Sequence, residues 1–224
     1  MAETNEGDIS MIKAVIFDMD GTIINTAIDH DFPTWREVFR SYGFNMSYED
    51  FKKASGGKAH DIIKDRIDIS DEEVEKFIQK RTQLLSESLK TKGVKLTPGF
   101  LKFLKALKKE GFKVALATGA IDSKISVIKE HVALDDYFPT IVTGSEVQIA
   151  KPHPQIYLKA AEKLGLSTED CLAVEDASNG IESAKAAGMK CIALTLTHEK
   201  EELRDADLIV DSFDQISMED IKKL

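Results

Sequence analysis

Short apolar runs alternate with amphipathic segments along most of the chain. The segments between the runs repeat apolar residues every three or four positions, as in a helix from Pro98 to Gly111 that Thr97 caps and whose Leu101, Leu104 and Leu107 share a face. Strands that alternate with helices of this length predict a parallel sheet with crossover helices, an open α/β fold. The runs with the composition of buried strands span 12–17, 113–118, 139–144, 171–175, 191–196 and 207–210.

The stretch 27–91 interrupts this alternation, because it has no convincing strand pattern. Pro33 begins a helix with Trp35 and Phe39 on one face, and Ser70 with Glu73 forms a capping box for a second, longer helix. An insert of this length exceeds an ordinary crossover. We therefore predict an all-helical cap domain at 27–91, inserted into a Rossmann-like α/β core at 11–26 and 92–224, after a polar, disordered tail at 1–10.

Composition and charge restrict the function. The chain has 39 acidic and 30 basic side chains, a net charge of −9, which argues against nucleic-acid and anionic-membrane partners. Two cysteines in 224 residues do not make a disulfide scaffold, and no apolar run is long enough to span a bilayer. We expect a cytoplasmic protein, a monomer or dimer, that binds a small molecule.

Residues with useful chemistry lie where the predicted strands end. The carboxyl ends of parallel strands meet at one edge of a sheet, which is where ligands bind in such folds. Because clustered carboxylates repel one another, a hard cation such as Mg²⁺ is expected between them, and it allows an anionic phosphate to approach. The residues at this edge are Asp18 and Asp20, Thr118 and Gly119, Lys151, and Glu175 with Asp176.

These side chains and amides are those that phosphoryl transfer requires. Asp18, the first residue after the strand, is the candidate nucleophile, and Asp20 points the same way in an extended segment and can act as general acid and base. The hydroxyl of Thr118, the amide of Gly119 and the cation of Lys151 suit phosphate oxygens.

The order of these segments identifies a family resemblance. FDMDGT, ATG around Thr118, Lys151-Pro152 and VEDASNGI resemble the four motifs of the haloacid dehalogenase superfamily of phosphotransferases. The helical insert resembles the cap of the subgroup that contains β-phosphoglucomutase and phosphoglycolate phosphatase. The resemblance implies hydrolysis of a small phosphate monoester, such as a sugar phosphate, through an aspartyl phosphate. It also implies that Asp18, the Asp20 carbonyl and Asp176 hold Mg²⁺, with Glu175 bound directly or through water.

Three other functions compete with a phosphatase. A β-phosphoglucomutase-type transfer uses the same core, but the segment 118–122 lacks the lysine and asparagine that mutases usually carry there. A dehalogenase would lack Asp20 and need no metal, and a non-catalytic module would have lost a catalytic residue. In the insert, Lys58 after a glycine pair and His30 are candidates for contact with substrate, as is Asn179 in the core, whereas Trp35 is expected to pack in the cap.

Overall fold

The computed structural model describes residues 12–54 and 57–224. Within them the core is a parallel sheet of six strands in the spatial order β3-β2-β1-β4-β5-β6. Each apolar run of the sequence overlaps one strand, so the predicted parallel α/β sheet is confirmed. The predicted tail at 1–10 and Gly56 of the glycine pair lie outside the described residues. In chain order the strands are β1 (Ala14–Phe17), β2 (Lys113–Ala117), β3 (Thr140–Val142), β4 (Cys171–Glu175), β5 (Lys190–Leu194) and β6 (Leu208–Val210).

The central strand β1 determines where the candidate site lies. Its four residues are fully buried, as expected for a strand covered on both faces. Phe17 is in register with Leu116 of β2 and with Val174 of β4, so the three strands end side by side. The Asp18 amide continues the ladder by donating to the Val174 carbonyl at 2.9 Å.

Helices cover both faces of the sheet. Phe17 packs against Phe100, Phe103, Phe138 and Phe213 on one face, and on the other Ala14 and Ile16 belong to a second apolar cluster. The first face holds α5 (Phe100–Lys109), α6 (Asp122–Lys129), α7 (Leu134–Tyr137) and α10 (Met218–Lys223), and the second holds α8 (Gln155–Leu164) and α9 (Ser178–Ala186).

The predicted start of α5 was wrong. The helix begins at Phe100 with Gly99 as its N-cap, at a φ of 82° that favours glycine, and Thr97 makes no cap. The Thr97 amide instead donates to the Ile23 carbonyl at 2.9 Å, which fixes Thr97 in the connection beside the chain that leaves β1. With this start, Phe100 and Phe103 take the buried face and Leu101 is 36% exposed.

The segment between β1 and β2 is helical, as predicted. A π-helical turn at Ala27–Asp31 leads into α1 (Phe32–Ser41), α2 (Tyr48–Ala54), α3 (Ala59–Lys64) and α4 (Asp71–Lys92). The capping box of Ser70 with Glu73 is present at the start of α4. These helices enclose an apolar cluster of their own, which includes Trp35, Phe39 and Phe77. None of the helices in the described part of the chain is long and apolar enough to cross a membrane.

Candidate active site

A cavity lies between the carboxyl ends of the strands and the helical insert. The core lines it with the residues that follow β1, β2 and β4, and the insert lines it from α1 to α4. All seven core residues that the sequence places at the sheet edge line this cavity: Asp18, Asp20, Thr118, Gly119, Lys151, Glu175 and Asp176.

Lys151 joins two of the carboxylates. Its ammonium lies 2.6 Å from Asp18 Oδ1 and 2.6 Å from Glu175 Oε1, and 3.3 Å from the carbonyl oxygen of Ala117. The Tyr157 hydroxyl donates to the same Glu175 oxygen at 2.6 Å. Burial alone would lower the pKa of Lys151, but Asp18 and Glu175 outweigh it and raise that pKa above its usual value. Lys151 is therefore cationic, and it holds Asp18 by one oxygen.

Asp176 is held by two hydroxyl groups. Thr22 donates to Asp176 Oδ1 at 3.0 Å, and the Thr197 hydroxyl bonds Oδ2. Gly21, at a φ of 89°, leaves room for this carboxylate, because a Cβ there would lie 2.1 Å from Asp176 Oδ2. The glycine of the first motif is therefore required by both its backbone angle and the close approach of Asp176.

Burial destabilises the charged forms of Asp18 and Asp176. Burial raises the pKa of Asp18 well above its usual value; Lys151 opposes this shift, and Glu175 and Asp176 add to it. Burial, with the Glu175 charge as the next cause, raises the pKa of Asp176 to about 7. When Asp18 and Asp176 are ionised, the site therefore carries more negative charge than Lys151 alone compensates.

This arrangement fits a divalent cation. Asp18, Glu175 and Asp176 each offer an oxygen, and the three oxygens lie within 4.8 Å of one another. Oxygen ligands and uncompensated negative charge are what Mg²⁺ selects. Glu175 also orients Lys151, because one of its oxygens accepts from Lys151 and Tyr157, while the other accepts from the Asp176 amide at 3.3 Å. All three carboxylates are therefore candidates to hold the cation.

Thr118 and Gly119 form the wall beside Asp18. The Thr118 amide continues the sheet by donating to Val142 at 3.0 Å, and its hydroxyl oxygen accepts from the Ala120 amide at 3.1 Å. This leaves the hydroxyl proton of Thr118 to donate to a ligand. Gly144 allows the loop to close, because a Cβ there would lie 2.3 Å from the Gly119 carbonyl oxygen.

Asp20 faces the insert. Its Oδ1 lies 2.6 Å from the Thr26 hydroxyl, and its Oδ2 lies 2.8 Å from the ammonium of Lys124, which α6 supplies. Beyond them lies Asp31, which binds Lys124 at 2.8 Å and forms an ion pair with Arg81 of α4. The Arg81 guanidinium stacks on Trp35, 4.3 Å from the ring centroid, and both side chains line the cavity. Trp35 therefore packs in the insert, as predicted, and also reaches the site.

Two of the three predicted substrate contacts do not lie at the cavity. Among the described residues that line it, Asn179 is present, but His30 and Lys58 are not. The helical phase turns the His30 ring into the insert, where Nδ1 lies 2.9 Å from the Ser88 hydroxyl and the side chain is buried. Lys58 is the N-cap residue of α3, and its neighbours Gly57 and Ala59 line the wall instead.

The sequence alone does not predict that several residues belong to the site. Tyr157 has the spacing of a core residue on α8, and Arg81 and Lys124 look like ordinary charged positions of a helix. Thr22 is the exception, because it belongs to the first motif and its position next to the two aspartates could have indicated a place in the site. The residues added by the structure are Thr22, Thr26, Asp31, Arg81, Lys124, Tyr157 and Thr197.

Comparison with known proteins agrees with this geometry. The family model described as haloacid dehalogenase-like hydrolase matches residues 15–194. The chain is 33% identical over 194 residues to protein CbbY of Rhodobacter capsulatus, covering 81% of this chain and 84% of that protein. It is 31% identical over 184 residues to the phosphorylated carbohydrates phosphatase of Thermotoga maritima, again covering 81% of this chain and 84% of that protein.

A solved structure gives the same result for the fold. The β-phosphoglucomutase of Clostridium difficile superposes with a TM-score of 0.84 at 27% identity, covering 95% of this chain and 96% of that one. The family model spans well over half of the chain, and its matched range includes every motif residue that lines the cavity. The chain therefore belongs to the haloacid dehalogenase-like hydrolases.

Proposed function

We propose that the protein is a Mg²⁺-dependent phosphatase that hydrolyses a small phosphate monoester, with Asp18 as the nucleophile. The observation that carries this proposal is the placement of Asp18: buried at the base of the cavity, held at one oxygen by Lys151, with its other oxygen available to attack. A carboxylate fixed in this way can accept a phosphoryl group and form an aspartyl phosphate. We also propose that the helical segment 27–91 acts as a cap that encloses the substrate.

Each side chain has a role in this reaction. Asp18 attacks phosphorus, while the Thr118 hydroxyl, the Gly119 amide and Lys151 stabilise the phosphoryl oxygens. Asp18, Asp176 and the Asp20 carbonyl would hold Mg²⁺, which would neutralise charge on the transferred phosphoryl group.

Asp20 provides the proton transfers. It protonates the departing oxygen of the substrate and later removes a proton from the water that hydrolyses the aspartyl phosphate. The Thr26 hydroxyl lies 2.6 Å from Asp20 and 2.8 Å from Asp31. A hydroxyl carries one proton, so it can donate to only one of these carboxyl groups at a time. This suits Asp20 to a role in which it alternately gains and loses a proton.

A sugar phosphate is the favoured class of substrate. The cavity combines apolar residues of the insert with polar side chains such as Arg81, Lys124 and Asn179, which suits a small polyhydroxylated leaving group. The Thermotoga maritima relative, named as a phosphatase of phosphorylated carbohydrates, supports the same class.

A mutase reaction is the alternative, and the likeness to β-phosphoglucomutase favours it. Such a transfer requires a cation for a second phosphate group. Lys124, the first lysine after the second motif, forms ion pairs with Asp20 and Asp31, and Arg81 forms an ion pair with Asp31. Both cations are therefore paired with carboxylates, which supports hydrolysis over intramolecular transfer. Lys52 of α2 also lines the cavity, where it pairs with Glu49 at 3.2 Å.

A panel of metabolite phosphate esters tests the proposal. We expect Mg²⁺-dependent release of inorganic phosphate from at least one sugar phosphate or related ester. β-Glucose 1-phosphate with a bisphosphate primer serves as the mutase control. Isomerisation of that sugar phosphate without phosphate release would replace the phosphatase assignment with the mutase one, and no reaction with any ester would contradict both.

Removal of the metal is expected to stop turnover and to change stability in a pH-dependent way. Without metal, folded Asp176 keeps a proton up to about pH 7, whereas an unfolded aspartate loses it near pH 4. The metal-free protein therefore loses stability as the pH rises from about 4 through 7. Since Mg²⁺ binds the ionised carboxylates, its stabilising effect should grow over the same interval.

Thermal unfolding measures this effect. Saturating Mg²⁺ at about 100 times its Kd adds about 2.7 kcal/mol, or about 5 to 10 °C in Tm for a chain of this size. We expect that shift at pH 8 and a much smaller one at pH 5, compared with samples that contain a chelator. A shift that is absent, or equal at both pH values, would contradict metal binding by these carboxylates.

A further inference from the structure

Tyr157 is a buried tyrosine whose hydroxyl reaches the charged groups of the candidate active site. It lies on α8 at the spacing of a core residue, and it is fully buried. Its hydroxyl lies 2.6 Å from Glu175 Oε1, and the ammonium of Lys151 lies 5.1 Å from the centroid of its ring. A phenylalanine would fill the same space in the core, so the hydroxyl requires a separate explanation.

Two carboxylates compete for the ammonium of Lys151. It lies 2.6 Å from Asp18 Oδ1 and 2.6 Å from Glu175 Oε1. The Glu175 side chain is 2% exposed and that of Asp18 is 11% exposed, so solvent screens Glu175 less and its attraction for the ammonium is the stronger. The Tyr157 hydroxyl donates to the same oxygen of Glu175 and offsets part of its negative charge. The hydroxyl therefore weakens an attraction that would draw Lys151 away from Asp18.

The Glu175 carboxyl group has little freedom to move. Its second oxygen accepts from the Asp176 amide at 3.3 Å. A Cβ on Gly180 would lie 2.1 Å from the carboxyl carbon of Glu175, so this group packs directly on the backbone of α9. The Lys151 side chain is long and flexible by comparison. A change in the contacts of Glu175 Oε1 is therefore expected to displace the ammonium of Lys151 rather than Glu175.

We propose that Tyr157 is a positioning residue for Lys151, which it keeps in contact with Asp18 and available to the phosphoryl oxygens by donating to Glu175. This inference rests on the proposed function, in which Lys151 stabilises those oxygens and orients the nucleophile. Tyr157 is absent from the described residues that line the cavity, so it acts through Glu175 and Lys151 rather than on the substrate. Without the hydroxyl, the ammonium moves towards Glu175, and both the nucleophile and a phosphoryl donor lose their alignment.

Tyr157→Phe is the main variant, because it removes the hydroxyl and keeps the ring against Lys151. Negative charge is spread over the phosphoryl oxygens in the transition state, so a displaced Lys151 should affect the transition state more than the bound substrate. We expect kcat for the best ester of the panel to fall about 10-fold, with KM changed by less than about 2-fold. A folded Tyr157→Phe protein with the kcat of the wild type would overturn the proposal.

Orthovanadate provides a measurement that does not depend on turnover. This anion can adopt the trigonal-bipyramidal geometry of a phosphoryl group during transfer, so its affinity reports on contacts made in the transition state. Isothermal titration with Mg²⁺ present should show a Kd for orthovanadate about 10-fold weaker in Tyr157→Phe, and a Kd for inorganic phosphate changed by less than about 2-fold. A lower Tm without the loss of orthovanadate affinity would show that the hydroxyl only stabilises the fold, and would overturn the proposal.

Tyr137→Phe is the matched control. It removes the same atom from a half-buried tyrosine whose ring packs against Phe100, and it should leave kcat and both affinities unchanged. A second comparison tests the route through Lys151. In the Lys151→Met background, Tyr157→Phe should lower kcat by less than about 2-fold, because the residue through which it acts is gone. A further loss of about 10-fold in that background would show that the hydroxyl acts independently of Lys151 and would overturn the proposal.

These outcomes are distinct from failure of the proposed function. That failure would appear in the wild type itself, as phosphate release that is absent or is indifferent to Mg²⁺. Failure of the present inference would appear in Tyr157→Phe while the wild type is active. Circular dichroism establishes whether each variant is folded, and the kcat and orthovanadate affinity of Tyr157→Phe decide the question even if the double variant does not fold.

Discussion

Replacing Asp18 with asparagine is expected to reduce turnover by about 10⁴-fold or more while the protein stays folded. Loss of a nucleophile in comparable covalent mechanisms costs factors of this size or larger. Asparagine preserves the size of the side chain, so the packing at the end of β1 is retained. The substitution also removes a buried charge that Glu175 and Asp176 already disfavour, although Lys151 loses one of its partners. The variant should therefore be inactive without being severely destabilised.

Phosphate release with the best ester of the panel measures the loss, and circular dichroism and thermal unfolding measure the fold. Asp135→Asn is a suitable control, because that carboxylate lies on the surface and pairs with Lys129. Its activity should match that of the wild type. Substantial turnover by a folded Asp18→Asn protein would remove Asp18 as the nucleophile.

The fold and the core of the site could be predicted because both depend on local sequence. Each apolar run of four to six residues specifies a strand, and a polar residue directly after such a run lies at the carboxyl edge of the parallel sheet. Asp18, Thr118 and Asp176 follow strands in this way. A parallel topology is therefore sufficient to predict that the three residues lie at the same edge of the sheet. Their chemical roles remain predictions that the variants above test.

The insert could not be predicted to the same depth, because its side of the site is formed by contacts between residues far apart in sequence. Lys124 and Asp31 are separated by 93 positions, and neither carries a motif. A lysine on an amphipathic helix is usually solvated, so its sequence context points away from burial. His30 shows the opposite error: it is close to the first motif in sequence, but the π-helical turn directs its ring towards Ser88 of α4.

Lys151→Met is expected to have the second large effect, on both stability and activity. The ammonium is buried, and it compensates Asp18 and Glu175 at 2.6 Å each. Removing one partner of a buried ion pair costs about 3–5 kcal/mol, because the remaining charges are left uncompensated. Turnover should fall by about 10²- to 10³-fold, since a donor to the phosphoryl oxygens is lost together with the group that orients Asp18.

The pH dependence of this variant distinguishes lost charge from lost packing. Burial already raises the pKa of Asp18, and without Lys151 nothing opposes that shift as strongly. At low pH Asp18 takes up a proton and the uncompensated charge disappears. The loss of stability in urea unfolding, measured with a chelator present, should therefore be smaller at pH 5 than at pH 8. An equal loss at both pH values would indicate that Lys151 acts through packing alone.

Substitution of a surface lysine is the control for the loss of stability in Lys151→Met. Lys163 pairs with Glu146 at 2.6 Å, but its side chain is 38% exposed, so Lys163→Met should change the unfolding free energy by no more than about 1 kcal/mol. The two substitutions remove the same charge and the same number of donors, and they differ in burial and in the number of carboxylates that each lysine compensates. If both cost the same, Lys151 does not hold the carboxylates of the site together, and the geometry that gives Asp18 its proposed role loses its main support.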